Sequence, residues 1–142
     1  MKKTVSMSVM LALLAAIVVT GCATGGKGLS DEELVKLQLD KWSQGLIEKD
    51  MDKFLSTISE NFSARQAEDK ETLAGFIEQA IEAGYLEEAE VSTEDAQFTF
   101  ENGVCSVYPV DLASMAGSVA VELTFTKEDA GWMVTGMDVD GI

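Results

Sequence analysis

The sequence predicts an α+β domain with helices on one face of a curved antiparallel sheet. Three observations predict it. Apolar residues recur every three or four positions between Ser30 and Gly84. Past Glu90 that period gives way to a period of two. The pair Asn102-Gly103 separates two alternating runs, at 96–101 and 104–112, as a two-residue hairpin turn does. Helices segregated ahead of an antiparallel meander define the α+β class.

The first helix starts at Ser30-Asp31-Glu32-Glu33, a capping box in which the Ser30 hydroxyl suits the Glu33 amide and the Glu33 carboxylate reaches back. Val35, Leu39, Trp42 and Leu46 then follow at intervals of four, three and four, a single helical stripe ending near Lys49. Asp50 caps a second helix carrying Met51, Phe54, Leu55 and Ile58, with Phe62 beyond it. Asp69 caps a third helix with an apolar face of Leu73, Phe76, Ile77, Ala80 and Ile81, and Gly84 stops it. In the strand half, Val91 marks a short first strand. Register across Asn102-Gly103 sets Phe100 opposite Cys105 and Phe98 opposite Val107. Val119, Val121, Leu123 and Phe125 share one face of the 118–127 run, and the last strand covers 132–139.

The residues before Ser30 carry an address. Lys2 and Lys3 precede an apolar stretch from residue 5 to residue 19, marginal against the roughly 20 apolar residues that span a bilayer. Val19-Thr20-Gly21-Cys22 closes it and resembles the lipobox of bacterial lipoproteins. The resemblance implies cleavage before Cys22, lipid on its sulfur and acylation of its new amino group. It further implies a mature chain from Cys22, and Ala23 in place of Asp implies sorting to the outer membrane, facing the periplasm. Acyl chains in combination hold a protein durably, where one chain binds marginally. The expected organisation is a signal peptide at 1–21, a Gly-rich tether at 22–29 and one domain at 30–142. A seven-residue flexible coil would reach roughly 15 Å from the lipid.

Composition removes several functions. The chain has 25 acidic and 10 basic side chains, a formal net charge of −15, and no His. No imidazole means no His-ligated metal, no Ser–His–Asp triad and no Cys–His pair. Phosphate binding needs clustered cations, so nucleic acid is not an expected partner. With Cys22 lipidated, Cys105 is the remaining thiol, so an intramolecular disulfide is not expected. Its register with Phe98 and Phe100 points to a buried, inert Cys. Glu87, Glu88, Glu90, Glu94 and Asp95 read as solvated charge. Asp138-Val139-Asp140-Gly141 matches part of a calcium loop but lacks the further carboxylates and the distal Glu. No metal and no cofactor is expected.

The order of elements resembles a known superfamily. The capped helix bearing Trp42, the link Glu48-Lys49-Asp50-Met51-Asp52-Lys53-Phe54, Phe62 after a short helix, and a closing Gly131-Trp132-Met133-Val134 strand look like the nuclear transport factor 2-like fold of the cystatin-like class, over about residues 30–140. The resemblance implies a cone, in which a strongly curved antiparallel sheet wraps the helices and a pocket opens at the wide end. Members include SnoaL-like and ketosteroid isomerase-like enzymes and many binding domains. Laid on Asp50 without gaps, the isomerases' phenol position falls on Trp42 and their base position on Gln66. An amide cannot take and return a proton at neutral pH. The candidate pocket residues are Trp42, Tyr85, Phe98, Phe100 and Asp111. Unbroken alternation would turn Asp111 inward as a substitute base with Tyr85 as donor, whereas a bulge at Pro109 would turn it to solvent.

The expected function is a membrane-anchored lipoprotein whose domain binds a small hydrophobic ligand or another protein without catalysis. The alternatives are an isomerase or lyase acting in the cone, and an envelope scaffold. A homodimer through the sheet face bearing Thr99, Ser106 and Tyr108 is a further expectation.

Overall fold

A computed structural model describes residues 28–140. The signal-like segment, Cys22 and most of the tether lie outside the described residues. The order of elements is α1 (Asp31–Glu48), α2 (Met51–Leu55), α3 (Lys70–Glu82), β1 (Glu90–Ser92), β2 (Gln97–Glu101), β3 (Val104–Ser114), β4 (Gly117–Glu128) and β5 (Gly131–Asp140). The described residues from Asp31 onward form one compact unit. Its core residues all fall between Val35 and Val139, so the chain from Gly28 onward carries its own hydrophobic core.

The stripe on α1 is buried as its spacing requires: Val35, Leu39, Trp42 and Leu46 are all 3% exposed or less. Burying one such side chain contributes about 1.5–3 kcal/mol. α1 ends in a Schellman turn. The Asp50 amide donates to the Gly45 carbonyl at 2.8 Å and the Lys49 amide to Leu46 at 3.2 Å, with Lys49 left-handed at φ 57°. The turn brings α2 hard against α1, where Gly45 faces the backbone of Phe54. Asp50 caps α2 through the Lys53 amide at 3.0 Å. α2 is shorter than its apolar face suggests. Past Ser56 the chain pairs with β5 instead, the Val134 amide donating to the Thr57 carbonyl at 2.8 Å and the Ser59 amide to the Val134 carbonyl at 2.9 Å.

β3 is the hub of the sheet. Its first half pairs with β2 and its second half with β1, while β4 and β5 follow in order on its other side. Asn102 and Gly103 both have positive φ, 51° and 79°, as a type I′ turn demands. Phe100 stands opposite Cys105 and Phe98 opposite Val107, the expected register. At Pro109, which has no amide hydrogen to give a ladder, the β3–β4 register slips between Val107 and Val110. The slip sets Val110 and Leu112 on the core side and leaves Asp111 on the outer face, solvent-exposed.

Candidate functional site

At the end of the sheet away from the β2–β3 hairpin, the helices and strands part around a cavity of about 320 Å³. Trp42 and Leu46 of α1 and Val121 of β4 form its floor, each 3% exposed or less. Phe76, Ile77 and Ala80 of α3 form one wall, and Leu112, Val119, Met137 and Val139 of the sheet form the other. Tyr85 and Phe76, 59% and 43% exposed, stand at the opening. Ser114 and Ser118 border it from the β3–β4 hairpin.

Local structure places these side chains. Asp69 caps α3, its carboxylate accepting from the Thr72 amide at 2.7 Å. That bond holds the Asp69 carboxyl below its ordinary range. The other end of α3 closes in a Schellman turn. Tyr85 donates its amide to the Ala80 carbonyl at 2.9 Å and Gly84 to Ile81 at 3.0 Å. Gly84 adopts φ +80°, a conformation costly for residues with a Cβ. The chain thereby reverses and delivers Tyr85 to the opening. The hairpin lip is fixed by the Met115 amide, which donates to the Glu87 carbonyl at 3.1 Å.

The lining is chemically simple. Among the described residues that line it there is no Lys, Arg, Asp or Glu, and Tyr85 is the one titratable side chain. The indole Nε1 of Trp42 is itself buried, with almost no accessible surface and no hydrogen-bond partner in the protein. Leaving such a donor unsatisfied costs about 1–3 kcal/mol. The Trp42 ring is held from behind by Phe54, ring centroids 6.0 Å apart.

Of the five candidate pocket residues, the structure brings Trp42 and Tyr85 together and places the other three elsewhere. Phe98 and Phe100 have the inward parity expected, but β2 pairs with the first half of β3, whereas the cavity opens at its second half. Phe98 lies under the Lys36 ammonium, 5.2 Å from its ring centre, and Phe100 meets Trp132 edge-on at 5.7 Å. Asp111 is carried outward by the Pro109 slip, so unbroken alternation was the wrong premise for it. Gln66, on the base position that the resemblance implied, does not line the cavity. Its amide donates to Asp138 at 3.4 Å, while its Oε1 is buried and unpartnered. The sequence reading missed Phe76, which sits on the apolar face of α3 yet turns its ring to the opening. Only the position of the hairpin lip distinguishes that place from core.

Cys105 is buried, and burial together with the nearby Glu32 carboxylate pushes its thiol up to about 11. A neutral thiol shut off from solvent is unreactive. On the outer sheet face Tyr108 donates to Asp140 at 2.7 Å, and Arg65 pairs with Asp138 at 2.8 Å. That carboxylate and Asp140 already have partners of their own. Among the described residues no group of three or more His, Cys, Asp or Glu could hold a metal ion.

No protein family and no curated protein matches this sequence. Solved structures do match its shape. A nuclear transport factor 2-like protein of unknown function from Pseudomonas putida superposes with a TM-score of 0.64 at 10% identity, covering 79% of this chain and 88% of that one. A candidate dehydratase of the same fold from Streptomyces avermitilis gives 0.63 at 14% identity, over 77% and 94%. A protein of unknown function with a cystatin-like fold from Nostoc punctiforme gives 0.61 at 12%, over 76% and 88%. The chain therefore has the nuclear transport factor 2-like fold of the cystatin-like class, with helices set in a strongly curved antiparallel sheet. Identities this low establish the fold, and proteins sharing a fold differ in what they do.

Proposed function

We propose that this protein is a lipoprotein of the bacterial cell envelope, anchored through Cys22 in the outer membrane and facing the periplasm, whose domain binds a small hydrophobic molecule without transforming it. The observation that carries the reading is the cavity. It is apolar, with a floor built from Trp42, Leu46 and Val121 and, among the described residues, no charged side chain in its lining. Its volume falls within the range of small-molecule sites, about 300–1,000 Å³.

Catalysis of the isomerase or lyase type needs a base beside the substrate. Asp111 faces away from the cavity, and Tyr85 alone cannot supply an acid–base pair. A homodimer through the sheet face is disfavoured by charge, since that face carries Asp111, Glu122, Asp138 and Asp140 in each copy and a face-to-face partner would oppose them to one another.

Two measurements test the proposal. Residues 28–142, released from the protein's own cell envelope and examined by native mass spectrometry, should retain a small molecule. A bare monomer would count against the cavity, and a sharp ligand-free dimer would favour the sheet face. Labelled palmitate should enter the wild-type chain and be absent from Cys22→Ala. Equal labelling of both would end the lipoprotein reading.

A further inference from the structure

Strand β2 lies at the margin of the sheet with one edge open. It pairs with β3 and, among the described residues, with no other strand. In a two-residue hairpin the residues flanking the turn exchange both backbone hydrogen bonds, and the pairs beyond them alternate. Glu101, Thr99 and Gln97 therefore turn their backbone groups to β3, and Phe98 and Phe100 turn theirs outward. The Lys127 amide, donating to the Gly103 carbonyl on the β4 side, has the parity that this requires. Edge strands are ordinarily blunted by Pro, Lys, a bulge or a covering element. Gln97-Phe98-Thr99-Phe100-Glu101 contains no Pro or Lys, its ladder to β3 is unbroken, and four of its five residues are exposed. The strand is also complementary to itself. A second copy laid antiparallel along it, with Thr99 on the two-fold axis, sets Phe98 opposite the second copy's Phe100 and Gln97 opposite its Glu101. In that register the outward N–H and C=O groups of Phe98 and Phe100 meet their counterparts in four hydrogen bonds. The phenyl rings pair, and each carboxylate faces an amide and not another carboxylate. A groove lined by Lys36, Leu39 and Phe98 runs beside this edge and gives the incoming Phe100 ring, 40% exposed in the single chain, a place to lie. We infer that two copies of this chain associate edge to edge through β2, continuing the sheet of one molecule into the next. The surface is separate from the outer sheet face, whose carboxylates oppose a face-to-face pair, and from the cavity, which opens at the other half of β3. The association stands whether or not the cavity holds a ligand.

Sedimentation of residues 28–142 tests the inference, over a concentration series reaching about 1 mM and in about 0.3 M sodium chloride to screen the negative charge. The interface is of the smallest specific class, so a reversible monomer–dimer equilibrium is expected within that range. Two exposed positions separate strand pairing from a general effect of charge, because each substitution adds one positive charge. Gln97→Lys sets an ammonium against the second copy's Glu101 and should tighten the dimer about fivefold. Thr99→Lys sets two ammonium groups against each other on the axis and should weaken it about fivefold. Hydrogen exchange of the wild-type domain gives a readout that needs no variant. The Phe98 and Phe100 amides should exchange freely in dilute solution and become protected as the dimer fills, whereas a face-to-face dimer would leave them unprotected. A monomer throughout the series, a shift of the same sign in both variants, or Phe98 and Phe100 exchange that does not change with concentration overturns the inference.

Discussion

Gly45 shows how the lack of a side chain at one position sets the geometry on which the cavity floor depends. A Cβ at this position would lie 2.7 Å from both the amide nitrogen and the Cα of Phe54, closer than packed atoms tolerate. The obstacle is backbone, which cannot swing aside as a side-chain tip can. Helix propensity alone ranks Ala above Gly by about 1 kcal/mol, so it predicts that Gly45→Ala stabilises α1. The contact predicts the reverse, because overpacking costs about 1–3 kcal/mol and α2 would be levered off the helix that carries Trp42 and Leu46. Urea denaturation of residues 28–142 decides between them. The midpoint of Gly45→Ala should fall, and an unchanged or raised midpoint would show that α1 and α2 are not in intimate contact.

At the scale of elements, the parts legible in the sequence are those whose cause is local. Asn102-Gly103 specifies its own turn because both positions need positive φ, and the β2–β3 register follows from that turn without further information. Asp50 and Asp69 mark their helices because a carboxylate beside free amides stabilises a helix start. The cavity is not local. Phe98 and Phe100 carry the right parity and lie at the wrong end of β3, because two short strands share that strand's edge and nothing in either strand says which half of β3 bounds the opening. Phe76 looks like core because helical spacing reports a face and not a depth. The cap on α3 has a pH signature. Folding lowers the Asp69 carboxyl below 3.8 through its bond to the Thr72 amide. A carboxyl lowered on folding contributes its full stabilisation above its ordinary value and gives it up as the pH falls through the lowered one. Asp69→Asn keeps a capping oxygen without a titrating charge. The difference in melting temperature between wild type and this variant should therefore be constant above about pH 5 and shrink in acid below 3.8. A difference that persists unchanged into strong acid would mean that the carboxylate's charge contributes nothing to the helix.

Across the whole molecule the dominant force that the fold does not satisfy is charge. Residues 28–142 carry 25 carboxylates and seven basic side chains. Six ion pairs among the described residues, Lys36–Glu32, Lys49–Glu87, Lys53–Glu48, Arg65–Asp138, Lys70–Glu60 and Lys127–Asp31, engage six of those carboxylates. They lie at the surface, where such pairs contribute about 0–1 kcal/mol each and weaken as salt is added. The remaining carboxylates repel one another over distances comparable with the screening length at low salt. Salt therefore acts in two directions, loosening a few pairs and relieving a much larger set of repulsions. The second effect should win. Raising sodium chloride from 20 mM to 0.5 M at neutral pH should lift the melting temperature of residues 28–142 by about 5 °C. A flat or falling melting temperature would show that the six pairs outweigh the excess of negative charge.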